Sequence, residues 1–97
     1  MNSTKELKDI LSQLGFASVE KAASQHAKLI LMGKISKYQA EDNFFKNKYK
    51  TDFEKFSRQV NESTVENIEQ DDDLLDWEFA VTALKKLQRD LEVLEND

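Results

Sequence analysis

Residues 72–94 read DDLLDWEFAVTALKKLQRDLEVL. At 3.6 residues per turn, Trp77, Ala80, Val81, Leu84, Leu87, Leu91 and Leu94 fall on one stripe, and Lys85, Lys86, Arg89, Asp90 and Glu92 fall outside it. The segment is therefore a long amphipathic helix. Alone in water such a helix is marginal, so its stripe must be buried against this chain or another. Leu75, Phe79 and Ala83 form a second apolar ridge beside the stripe, confined to the first turns. A helix apolar on two faces at one end meets two neighbours there. A short helix around Phe53 and Phe56 is one candidate cover, and a second subunit or foreign partner is the other.

The main cover comes from upstream. Ser18 suits the N-cap of a helix that meets no breaker stronger than Gly33 before about Lys48. Its face collects Ala23, Ala27, Ile30, Leu31, Ile35, Tyr38, Phe45 and Tyr49. The expected length is about 45 Å at 1.5 Å per residue. Gly33 predicts close approach of another backbone or a slight kink. Lys34 and Glu41 lie near the seam, either as polar register positions or as edge side chains reaching to water.

Two short helices complete the reading. Ser3 with Glu6 has the form of a capping box, Leu7, Ile10, Leu11 and Leu14 follow at helical spacing, and Gly15 and Phe16 suit a left-handed end with its apolar contact. Thr51 with Glu54 forms a second capping box ahead of Phe53, Phe56 and Val60. Residues 61–70 are polar apart from Val65 and Ile68 and read as a connecting loop or, with Ser63 and Glu66, an imperfect helical turn, after which Asp71, Asp72 and Asp73 suit a helix N-terminus.

Composition agrees. The 97 residues suit one helical domain, residues 1–97, and contain no proline and two glycines, too few for the turns of a β-rich chain. The fold expected is all-α: a long antiparallel hairpin of about Ser18 to Lys48 and Asp72 to Leu94, with two short helices packed on it. A core this small makes dimerisation a natural supplement. Absence of cysteine removes disulfides and thiolate chemistry and points to the cytoplasm. No apolar signal segment or membrane-length run is present. Charge is uneven: residues 1–50 carry +4, residues 51–68 carry −2 and residues 69–97 carry −7, for the net −5. The two halves either pair side by side or leave the acidic end to a basic partner.

Signals of chemistry are weak. His26 is the sole histidine and has no triad or metal partners, and no Gly-rich phosphate loop occurs. The acidic run Glu66, Glu69, Asp71, Asp72, Asp73 and Asp76 has helical spacings that can share magnesium, with Glu41 and Asp42 as a second acidic pair. A magnesium-dependent all-α nucleotide pyrophosphohydrolase is thus an alternative, although helix capping accounts for the same residues. The lysines of the long helix are spread around it and the chain is acidic, so direct nucleic-acid binding is not expected. No cofactor is called for.

Phe45-Lys46-Asn47-Lys48-Tyr49, then Asp52-Phe53-Glu54-Lys55-Phe56, then Asp73-Leu74-Leu75-Asp76-Trp77-Glu78 with its Leu-rich continuation, resemble segments of small prokaryotic helical proteins, the antitoxin halves of toxin–antitoxin pairs. The likeness covers roughly residues 38–94. It implies a non-enzymatic protein that sequesters a small, basic, toxin-like partner, and it transfers no catalytic residue. The expected partner surface is Asp72, Asp73, Leu75, Asp76 and Phe79. A self-associating structural bundle, with the Leu75–Phe79 ridge as a homodimer contact, is the other non-enzymatic reading.

Overall fold

The computed structural model describes residues 3–96, apart from the side chain of Ser3. They form helices α1 (Ser3–Gln13), α2 (Val19–Tyr49), α3 (Phe53–Glu62) and α4 (Ile68–Glu95), with no strand among the described residues. The all-α hairpin expected from the sequence is present. α2 and α4 run antiparallel: Tyr49 meets Asp73, Asp42 meets Trp77, and Ala27 and Ile30 share a groove with Asp90 and Val93.

Their seam alternates spacings of four and three residues, the repeat that keeps one stripe of each helix on its neighbour. On α2 the seam holds Leu31, Ile35, Tyr38, Asp42, Phe45 and Tyr49; on α4 it holds Asp73, Trp77, Ala80, Leu84, Leu87, Leu91 and Leu94, all buried or half-buried. The charged seam residue of α2 is Asp42, not Lys34 or Glu41. Lys34 is exposed, Glu41 sits half-buried at the edge, and Ala23 also lies outside the seam.

Helix ends follow side-chain capping. Ser18 Oγ accepts from the Lys21 amide at 3.0 Å, as expected, and Lys50 closes α2 at φ 56°. Gly15, at φ 95°, ends the first helix, and the Phe16 amide reaches back to the Leu11 carbonyl at 2.9 Å. The Ser3 cap lies outside the described side chains. Asp52 rather than Thr51 caps α3, its Oδ1 accepting from the Lys55 amide at 2.9 Å. Asn67 caps α4 through the Gln70 amide at 3.1 Å, so this helix starts ahead of the three aspartates. A carboxamide at Asn67 provides the cap that the aspartates were expected to provide, and the helix absorbs them into its first turns.

Gly33 lies inside an uninterrupted α2, and a Cβ there would meet nothing within 4 Å. The close approach expected at this position is absent.

The hairpin is a single layer. Its extents are 68 × 25 × 18 Å and its radius of gyration is 20.4 Å, against about 13 Å for a compact chain of this length. Full burial is concentrated at one end, where α3 packs beside the α2–α4 junction over Phe45, Phe56 and Trp77. Toward the other end Leu87, Leu91 and Leu94 are only half-buried.

Two stability measurements follow from this packing. Trp77 is 0% exposed and donates Nε1–H to Asp42 Oδ1 at 2.8 Å, so Trp77→Ala should cost about 3–5 kcal/mol in denaturant melts. Asp42→Ala, which strands that donor, should cost about 1–3 kcal/mol and couple to the first change; additive losses would dismiss the pairing. Gly33→Ala should raise stability by about 1 kcal/mol, since it removes a flexible residue from an open helix position.

Candidate interaction surface

Phe45, Tyr49, Phe53 and Phe56 surround Trp77 at the junction. Phe45 stacks on the indole at 5.5 Å and 23°, Tyr49 at 6.3 Å and 16°, while Phe53 meets it edge-on at 5.7 Å. Phe56, 2% exposed, lies 5.3 Å from the indole and 4.1 Å from Tyr49. These aromatics occupy the ends of three helices, and their mutual packing closes the junction. The carboxylate of Asp42 is held from two sides, by Trp77 and by Lys46 Nζ at 3.0 Å.

A polar clasp lies beside the aromatics. Lys48 Nζ reaches Glu69 Oε1 at 2.7 Å and Asp73 Oδ2 at 2.6 Å, and the Tyr49 hydroxyl also donates to Asp73 Oδ2. Hydrogen bonds to Asp73 and Glu69 hold the Lys48 ammonium well above its ordinary value. Burial pushes the Tyr49 phenol up, reinforced by its bond to Asp73. Burial also pushes the Asp73 carboxyl up, but the Lys48 and Tyr49 hydrogen bonds and the Lys48 charge outweigh it and hold the group low. Charge pairing between the basic and acidic halves thus occurs inside the chain at this junction.

The side of the hairpin away from α3 is open. Leu74 and Val81 pack against the cluster of Phe45, Trp77 and Phe56 of α3, whereas the Leu75–Phe79 ridge is uncovered; Leu75 is 65% and Phe79 64% exposed. Phe79 meets Tyr38 edge-on at 5.8 Å. Together they border a groove of about 520 Å³ whose other walls include Glu41, Phe44 and Asp76. Phe44 is 60% exposed. A second groove, of about 410 Å³, continues on the same side between Ile30 and Val93.

Two rows of residues frame this side. On α2 they are Ile30, Lys34, Lys37, Glu41 and Phe44; on α4 they are Asp72, Asp76, Phe79, Ala83, Lys86, Asp90 and Val93. Both rows repeat the four–three spacing of the seam. Each helix therefore carries two stripes suited to helix contact, of which the hairpin uses one.

The expected partner residues divide accordingly. Asp72, Leu75, Asp76 and Phe79 lie along the open side, whereas Asp73 turns inward to Lys48 and Tyr49 and holds the junction together. Tyr38, Glu41 and Phe44 join the surface from α2. Their spacing with Ile30 and Lys37 was present in the sequence, but Ile30 and Tyr38 also satisfy the seam pattern and drew the row into it. Among the described residues no three His, Asp or Glu side chains gather as a metal site, and no helix is long and apolar enough to cross a membrane. Asp42 is turned into the seam and Asp73 is engaged by a lysine, whereas Glu41 and Asp76 remain on the walls of the groove.

Comparisons with protein-family models, with curated proteins and with solved structures find no match to this chain.

The clasp sets a pH dependence. Asp73 is lowered from 3.8, so its stabilisation is present above that value and is lost as pH falls through the lower folded value. Lys48 and Tyr49 are raised from 10.5 and 10.0, so their contributions are full below those values and fade as pH rises through the higher folded ones. Asp73→Asn should lower the urea midpoint at neutral pH and flatten its decline between about pH 5 and pH 3. Parallel acid limbs for wild type and variant would remove Asp73 from this role.

Proposed function

We propose that this chain is a non-enzymatic protein-interaction module, an antitoxin-like regulator that holds a basic, partly apolar partner against the open side of its hairpin. The observation that carries the reading is the exposure of Leu75 and Phe79 together, 65% and 64%, beside the carboxylates of Asp72, Asp76 and Glu41. A contiguous apolar patch rimmed by charge is the composition of a protein contact. A partner helix presenting aliphatic or aromatic side chains flanked by lysine or arginine fits it: its apolar groups enter the groove along Phe44 and Phe79, and its cations meet the acids at the rim. The resemblance to antitoxins of prokaryotic toxin–antitoxin pairs agrees with a partner of that chemistry, and a cysteine-free chain suits work in the cytoplasm.

Self-association is the second reading. The elongation of the single-layer hairpin favours it, because a layer two helices wide leaves one side of each helix without protein cover.

Affinity capture from the native lysate, with stoichiometry weighed by native mass spectrometry, tests the regulator. Wild type should retain one small basic protein in fixed ratio. Leu75→Ser with Phe79→Ser should abolish retention, and Asp72→Asn with Asp76→Asn should weaken it about tenfold or more. Asp73 stays intact because it anchors Lys48. Equal capture by wild type and both variants would refute the assignment of this side.

A further inference from the structure

We propose that in the free protein the open side is covered by a second copy of this chain, laid antiparallel about a two-fold axis near Tyr38 and Ala83 to complete a four-helix bundle. This rests on the reading of that side as a binding surface and names its resting occupant.

Area is the first argument. A compact monomer of 11.3 kDa exposes about 5,700 Å², whereas this chain exposes 7458 Å². The surplus is roughly 1,700 Å² per chain. Obligate homodimers bury about 1,000–2,500 Å² on each partner, so a second copy accounts for the whole of it. The face to be covered is also long: residues 72–93 of α4 span about 32 Å at 1.5 Å per residue. A hairpin of equal length covers it end to end, which a short peptide does not.

The order of charges is the second argument. Along the open rows, Asp72, Asp76 and Glu41 stand toward the junction; Lys37 and Lys34 follow Glu41 one and two turns further on, and Lys86 follows Asp76 after about three turns. Lys86 holds Asp90 at 2.7 Å. Glu41, Asp76, Lys34 and Lys37 make no ion pair among the described residues. A two-fold contact uses the same patch on both subunits, so the patch must complement itself. Antiparallel copies related near Tyr38 and Ala83 lay α2 on α2 and place Glu41 of each between Lys34 and Lys37 of the other. A parallel arrangement would set acid on acid and lysine on lysine.

Apolar groups suit the same axis. Phe79 and Tyr38 already touch, and Phe44 borders their groove. Two copies bring Tyr38 of each chain to the axis with Phe79 about one turn away, which puts apolar groups in the middle of the contact. Ala83, small and half-buried, lets the helices approach at the axis. A basic foreign segment would use the acids and rings that the second copy's lysines and rings occupy at rest, so partner binding and self-association compete.

Sedimentation equilibrium on the full chain tests this, with circular dichroism to verify that each variant keeps its helices. Wild type should be a dimer at roughly 100 μM. Phe79→Ser, at an exposed position, should raise the dissociation constant about tenfold or more. The decisive pair is Lys34→Glu with Lys37→Glu in one chain, and Glu41→Lys in another. Each should be monomeric alone, because like charges then face each other. An equimolar mixture should form a heterodimer, because both sets of opposite charges are restored. A monomeric wild type, or a dimer indifferent to all three changes, would overturn the second copy as occupant. If the monomer still retains a foreign protein through Leu75 and Phe79, only the present inference fails; if it retains none, the interaction reading fails with it.

Discussion

The hydrogen bond from Trp77 to Asp42 fixes how the two long helices meet. Trp77 is fully buried at a point where α2, α3 and α4 converge, and the aromatics around it supply most of the fully buried core. A buried indole requires an acceptor for its N–H, and Asp42, 35 residues away, provides one from the facing seam. A register shifted by one helical turn would strand the indole donor and leave the carboxylate with Lys46 alone. The aromatic cluster gives cohesion; the polar pair makes that cohesion specific to one alignment.

Burial is polarised as a result. α3 thickens the hairpin only beside the junction, on the side of Leu74 and Val81. Elsewhere each long helix has one covered stripe and one uncovered stripe. The aliphatic residues that line the open side satisfy the same helical repeat as those in the seam, which distinguishes them from apolar residues scattered over a surface. Apolar and charged residues at regular spacing along two rows form a surface of the shape that a helix can lie against.

Position within the helix separates acids that look alike in the chain. Asp72, Asp73 and Asp76 belong to one acidic run, but α4 turns Asp73 toward Lys48 and Tyr49 and carries Asp72 and Asp76 along the open side. The first is held ionised by hydrogen bonds and fastens the junction. The others remain available for intermolecular contact. The basic first half of the sequence is likewise divided, with Lys48 engaged in the clasp, Lys46 beside Asp42, and Lys34 and Lys37 facing outward.

Much of the architecture was legible from the residues alone. Scarce glycine, absent proline and sustained helical periodicity determined an all-α hairpin, and the spacing of Trp77, Ala80, Leu84, Leu87, Leu91 and Leu94 identified its seam on α4. The ridge at Leu75 and Phe79 was visible too, because a second apolar row beside the first is a property of one helix. Two features belonged to the tertiary structure. Asp42 as the charged seam residue of α2 depends on a tryptophan 35 positions later, and the uncovered state of the ridge depends on which side of α4 α3 occupies. Periodicity is local and survives in the sequence, whereas the choice among equivalent seam polars and packing sides is made by contacts between residues far apart in the chain.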